Sequence, residues 1–200
     1  MFDTNLRNTY LFLAFFILAF FPNLAHILLK PISYPFDLLS GSLVQAPTPK
    51  PATPQMSWFQ KPFTLPSRSR GSYLITDTVL SELPELKSYK LGILHLFLQH
   101  TSCGLSLNEN WDEDVREDMN DALDRIAPQG SGLYYRHSCE GPDDMPAHVK
   151  CSLVGASVSV PISEGRLALG TWQGIWYLEF RASQHSRKVV ATIQGEKYEK

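Results

Sequence analysis

Cysteine is scarce in this chain, and what there is forms no metal-binding pair. Cys103, Cys139 and Cys151 include no C-x-x-C motif, and three thiols cannot all pair within one chain. This argues against a cysteine-ligated structural zinc and a disulfide framework, and fits reduced thiols in an intracellular protein. A basic field is missing too. The net charge is -2; residues 1–55 carry Arg7, Lys30 and Lys50 against Asp3 and Asp37, or +1, which leaves -3 for the rest. Nothing there would hold a nucleic-acid backbone, so no nucleic-acid partner is expected. Internal repeats are absent, as is any serine or cysteine triad pattern. Disorder throughout is excluded by a composition that is 44% hydrophobic and 12% aromatic.

The chain has two unlike parts. Tyr10 to Phe21 is an unbroken apolar run that continues less cleanly to Leu29, interrupted by Pro22, Asn23 and His26. Residues 1–30 therefore form an apolar leader, for which three readings stay open: a signal anchor or membrane segment over 10–29, a cleaved targeting peptide, or an extension irrelevant to the folded domain. Six prolines between Pro31 and Pro54 make residues 31–55 an extended, semi-rigid linker. Residues 56–200 form the domain, and Met56 is a candidate alternative start. The domain alone would be cytoplasmic; with the 10–29 segment retained it would be membrane-anchored.

Within the domain, hydrophobic alternation predicts strands at Ser72–Leu80, Leu91–Gln99, Cys151–Pro161, Leu167–Leu169, Gly174–Arg181 and Lys188–Gln194, with another beginning near Met56. The strand at Leu91–Gln99 reads as largely buried because it is apolar almost throughout. One helix is convincing, between Trp111 and Ala127, where Val115, Met119, Ala122, Leu123 and Ile126 recur at helical spacing. Asn110 and Glu113 resemble its capping pair, and Pro128 with Gly130 ends it. The order implies an α+β fold, a mainly antiparallel sheet with one principal helix in a single domain.

Chemistry-bearing residues gather between His100 and His148. His100 ends a strand beside Thr101, Ser102 and Gly104, a loop suited to receiving phosphate or merely to capping the strand. Asn108, Asp112, Glu113 and Asp114 open the helix, where carboxylates either hold a cation such as Mg²⁺ or simply favour the helix amides. In E-G-P-D-D-M-P-A-H, residues 140–148, two prolines and a glycine restrict the backbone around Asp143, Asp144 and His148, which favours function over a solvated turn. His137 is a third site member or a surface residue. Trp172 and Gln173, between glycines, offer a stacking surface and an amide, or a core Trp between turns. Arg181 binds phosphate or pairs with Glu179, two residues away on one strand. Cys103 reads as a small buried residue and not a nucleophile.

The ordered motifs H-T-S-C-G-L, N-E-N-W-D-E-D-V, G-P-D-D-M-P-A-H-V-K, P-I-S-E-G-R-L-A-L-G-T-W-Q-G-I and E-F-R resemble the YjbQ family, called secondary thiamine-phosphate synthases, over roughly Ser57 to Glu196. The resemblance implies a curved-sheet α+β domain, commonly a homotrimer with sites near subunit contacts. It also implies a transferase of thiamine biosynthesis, joining hydroxymethylpyrimidine diphosphate to thiazole phosphate, as a secondary activity. On that reading the substrate is a small phosphorylated heteroaromatic. Asp112, Asp143 and Asp144 hold Mg²⁺, and His100 and His148 serve the leaving group. Thr101, Ser102, Asn108, Trp172 and Gln173 bind substrate. The alternatives are a metal-dependent hydrolase of a phosphorylated metabolite and a non-catalytic trimeric binding module. The leader and linker depart from the compact family pattern.

Overall fold

Leu94, Leu96 and Leu98 are buried while Leu91, Ile93 and Phe97 between them face outward, so the strand that looks apolar throughout is covered on one face only. The computed structural model describes residues 8–10, 12–13, 15–16, 55–130 and 135–199. The chain divides into two units, Met1–Ala52 and Thr53–Lys200. In the first, residues 8–10, 12–13 and 15–16 are helical. Most of the apolar leader and nearly all of the proline-rich segment lie outside the described residues. Among the described residues, no helix is long and apolar enough to cross a membrane.

The second unit is α+β. Its elements are β1 (Met56–Thr64), β2 (Gly71–Leu74), α1 (Thr76–Glu82), a 3-10 turn (Pro84–Ser88), β3 (Tyr89–Leu98), β4 (Cys103–Glu109), α2 (Glu113–Ile126), α3 (Asp144–Val154), β5 (Ser157–Ser163), β6 (Arg166–Leu167), β7 (Gln173–Glu179) and β8 (Lys188–Lys197). They build two antiparallel sheets, ordered β1-β8-β3-β5-β6 and β2-β7-β4.

One core joins Leu94, Leu96, Val160, Ile162, Ala191 and Ile193 of the larger sheet to Leu105, Ile175 and Tyr177 of the smaller. On the other face of β7, Trp176 and Leu178, with Phe180 just beyond, meet Leu123 of α2 and Ala147 and Cys151 of α3. β7 is therefore buried on both faces, between a sheet and a helical layer. On the opposite face of the larger sheet, Met56, Trp58, Leu91, Ile93 and Phe97 are not covered by the described residues.

Four local expectations are corrected. The strand over Ser72–Leu80 stops at Leu74 and α1 follows, because Val79 and Leu83 are buried one helical turn apart and the Thr76 hydroxyl accepts the Ile175 amide. The segment expected as a strand from Cys151 is still helix to Val154; Gly155, at φ 97°, ends α3, and β5 begins at Ser157. In α2 the cap is Asp112, whose carboxylate accepts the Asp114 amide, whereas Asn110 donates to the Thr171 and Gln173 carbonyls. Ile126, assigned to the apolar stripe, is exposed.

Candidate functional site

Asp144 and His148 stand one helical turn apart on α3, which places both on one face. The rigid E-G-P-D-D-M-P-A-H segment is the start of this helix and not a free turn. Pro146 lies in the first turn, where a backbone donor has no intrahelical acceptor. Asp143 stands at the N-cap but makes no cap bond; its buried carboxylate turns to the segment after β7, accepting from Arg181 Nε at 3.1 Å and the Ala182 amide at 2.9 Å. Burial alone would raise its pKa; the Ala182 amide and the Arg181 guanidinium reverse that and hold it below the usual carboxylate value.

His137 arrives from the loop preceding α3. His137 Nε2 lies 2.6 Å and His148 Nε2 3.6 Å from Asp144 Oδ2, and the two imidazole centroids are 5.5 Å apart. One ligand atom from each residue lies within 4.8 Å of the other two. The groups behind this trio fix its orientation. His148 Nδ1 is 3.0 Å from the Thr101 carbonyl, which only accepts, so Nδ1 carries the proton and neutral His148 presents its lone pair at Nε2. Asp144 is almost fully buried, and its Oδ1 takes a short hydrogen bond from Arg181 Nη1, leaving Oδ2 toward the histidines. Arg181 Nη2 also donates to the Glu140 carbonyl at 2.7 Å. A carboxylate and two imidazoles converging this way can hold a cation or relay a proton.

The turn between β3 and β4 carries His100, Thr101 and Ser102 from one sheet to the other, beside α3. Gly104 allows the close approach of that helix: a Cβ there would meet Val154 Cγ1 at 2.9 Å and the Gly155 carbonyl at 3.1 Å. The glycine of H-T-S-C-G therefore admits a helix where a ligand was expected. Beneath the turn, Arg187 forms two 2.7 Å hydrogen bonds to the buried Glu179 carboxylate and a third, at 3.0 Å, to Ser102 Oγ; Tyr177 donates a short one to the same carboxylate. His100 Nε2 accepts the Lys188 amide at 2.8 Å. Burial and the Arg187 charge lower its pKa, so it is neutral near pH 7.

The expected residues thus divide. His100, Thr101 and Ser102 share one end of the domain with Asp143, Asp144 and His148. Asn108, Asp112, Trp172 and Gln173 occupy the other: Asn108 is opposite Gly174, whereas Cys103 is opposite Glu179, five residues and roughly 17 Å along β7. The expected metal set does not assemble within one chain. Asp112 caps α2, Asp143 is committed to Arg181 and Ala182, and only Asp144 joins the histidines. Asn108 Oδ1 accepts the Glu109 amide and Gln173 Oε1 the Gly170 amide, while Trp172 is exposed edge-on to Trp111. The Arg181 guanidinium holds the two aspartates, and only its backbone amide reaches the Glu179 carboxylate, donating to Oε1 at 3.0 Å. Nothing in the sequence singled out Arg187. Cys103 is fully buried, with its thiol pKa pushed up to about 12 by that burial, as an inert core residue requires.

A cleft of about 680 Å³ opens beside the trio, lined by residues 97–101, by His148, Cys151 and Ser152 of α3, and by Gly155 and Ala156. Another, of about 600 Å³ between β2 and α2, balances Arg68, Arg70 and Arg116 against Glu113, Glu117 and Asp121 and contains no histidine or thiol. The first is the one joined to the chemistry.

The family model described as "UPF0047 protein YjbQ-like" matches residues 61–196. The UPF0047 protein YjbQ of Escherichia coli O157:H7 is 48% identical over 139 residues, 70% of this chain and 99% of that protein. UPF0047 protein MJ1081 of Methanocaldococcus jannaschii is 37% identical over 123 residues, 62% of this chain and 84% of its own. A crystal structure from Clostridium acetobutylicum, described as an uncharacterized conserved protein of the yjbq/upf0047 family, aligns with TM-score 0.59 at 36% identity, covering 66% of this chain and 98% of that one. A Sulfolobus solfataricus protein of unknown function shares the fold, with TM-score 0.62 at 23% identity over 71% of this chain and all of its own. These findings correct the functional expectation. The relatives are described by family alone, and thiamine-phosphate synthase activity belongs to a different family and fold.

Proposed function

We propose that this chain, which belongs to the UPF0047 YjbQ-like family, is a metal-dependent enzyme centred on His137, Asp144 and His148. The observation that carries the proposal is the convergence of three ligand atoms within 4.8 Å of one another, with the remaining donor atoms of Asp144 and His148 already engaged by Arg181 and the Thr101 carbonyl. Imidazole-rich sets suit zinc and its borderline neighbours, whereas Mg²⁺ prefers an all-oxygen shell, so the expected Mg²⁺ gives way to a zinc-like ion. Three protein ligands leave a coordination position open, as in catalytic and not structural sites. Bound there, the ion supplies Lewis acidity toward a donor atom in the adjoining cleft. Counting the ion as +2, Asp143, Asp144 and the more exposed Glu140 as -1 each and Arg181 as +1 gives zero, so the attraction for a donor comes from the ion itself and not from a surplus of charge around it.

The test is zinc titration of chelator-stripped protein by calorimetry. One equivalent should bind wild type, and affinity should fall about a hundredfold or more in Asp144→Asn and His148→Ala. Equal zinc affinity in the folded variants would reject the site.

The proposal extends to assembly and location. The exposed apolar row Met56, Trp58, Leu91 and Ile93 supports a homotrimer formed through the open face of the larger sheet. Three unpaired thiols, Cys103, Cys139 and Cys151, support a cytoplasmic setting for the domain.

A further inference from the structure

The cleft beside the trio differs from most polar sites in what its walls withhold. Its lining residues include no lysine, arginine, aspartate or glutamate. Its backbone is largely satisfied within the protein: the Gly155 amide bonds the Cys151 carbonyl, the Gly155 carbonyl accepts from Leu105, and the Ala156 carbonyl accepts from Leu98. Side chains are committed too. Ser152 Oγ donates to the His148 carbonyl, His148 Nδ1 to the Thr101 carbonyl, and His100 Nε2 accepts the Lys188 amide. What remains open to a ligand is the half-exposed Phe97 ring, the uncharged side chains of Gln99 and Thr101, and the space over Gly155, where a Cβ would meet no atom within 4 Å.

We propose that the ligand of this site is a small molecule with a metal-binding head and a flat, uncharged, apolar or aromatic body, the body lying against Phe97 and over Gly155. The inference rests on the metal reading of His137, Asp144 and His148 and adds the chemical class of what meets the ion. A phosphorylated body is disfavoured, because the lining supplies no cation to replace the water lost by a second anionic group. A ring placed on Phe97 gains from burial and from aromatic offset stacking, neither of which needs a polar partner. The cleft, at about 680 Å³, has room for such a body.

The test compares two probes with the same head, acetohydroxamate and benzohydroxamate, binding to the zinc-loaded full chain by calorimetry. Benzohydroxamate should bind about tenfold tighter or more, as burial of one ring implies. Phe97→Ala should bring the two affinities within about threefold, with zinc stoichiometry unchanged. Phe97→Leu should keep an intermediate preference, which separates loss of the ring from any loss of fold. Equal binding of the two probes to zinc-loaded wild type, or a preference that survives Phe97→Ala, would overturn the ligand class and leave the metal site standing. Failure of wild type to take up zinc would overturn both.

Discussion

Arg181 grips Asp144 through Oδ1 and so aims Oδ2 at His137 and His148. The same guanidinium ties down Asp143 and the Glu140 carbonyl, so a single side chain on the segment after β7 fixes both the start of α3 and the carboxylate that faces the histidines.

Removing that side chain should cost the fold as well as the site. Arg181→Ala leaves the Asp144 carboxylate, 2% exposed, with no guanidinium beside it. Urea unfolding of metal-free protein at neutral pH should show a loss of about 3 kcal/mol. Arg181→Lys should fall between, since an ammonium cannot reproduce the planar fork. Added zinc should recover part of the loss by supplying another cation. A loss under about 1 kcal/mol would mean that the pair does not hold the segment.

His100 should give the domain a pH-dependent stability. Its folded pKa lies below the ordinary 6.5, chiefly through burial and then through Arg187, so the unfolded chain binds more protons over that interval. This contribution is complete above pH 6.5 and is lost as pH falls from 6.5 toward the folded value. Urea midpoints measured between pH 5 and 8 should decline less steeply on the acid side in His100→Gln than in wild type. Parallel profiles would remove His100 from the stability of the β3–β4 turn.

The three thiols should react in order of access. Cys139 is exposed, whereas Cys103 and Cys151 are buried with their pKa values raised by that burial. Brief iodoacetamide treatment of native protein, followed by mass spectrometry, should label Cys139 alone, and the other two only after denaturation. Rapid native labelling of Cys103 would contradict its place in the core.

Assembly is testable at one position. Ile93 stands opposite Gln194, which in turn pairs with Trp58, at the middle of the open sheet face. Sedimentation of wild type should give a trimer mass, and Ile93→Glu should give monomers that keep the native circular dichroism spectrum. A monomeric wild type, or a trimer indifferent to the charge, would place the contact elsewhere or remove it.

Much of this fold could be read from alternation. The apolar runs of β3 and β7 and the alternation of β8 mark strands, and Val115, Met119 and Leu123 mark α2 by helical spacing, but β4, over Cys103–Glu109, was not expected, because H-T-S-C-G reads as a loop. Periodicity could not say whether the outer face of β3 is covered, because Leu91, Ile93 and Phe97 are as apolar as the residues facing the core. It also missed α3. Prolines at 142 and 146 read as turn signals, yet both sit where a helix start tolerates them. At the site, the sequence grouped Asp144 and His148 because they share one short motif, whereas the helical turn that puts them on one face comes from the structure. Arg187, Glu179 and Arg181 depend on which strand ends meet, a tertiary fact with no local signature. In N-E-N-W-D-E-D, Asp112 caps α2, a role that its position at a helix start had already allowed.

The most direct measurement is X-ray diffraction from zinc-loaded crystals at wavelengths on either side of the zinc absorption edge. A single anomalous peak is expected, about 2.0–2.2 Å from His137 Nε2, Asp144 Oδ2 and His148 Nε2, with its remaining position toward the cleft. No ordered zinc, or zinc held only by other residues, would contradict the metal centre on which the proposed function rests.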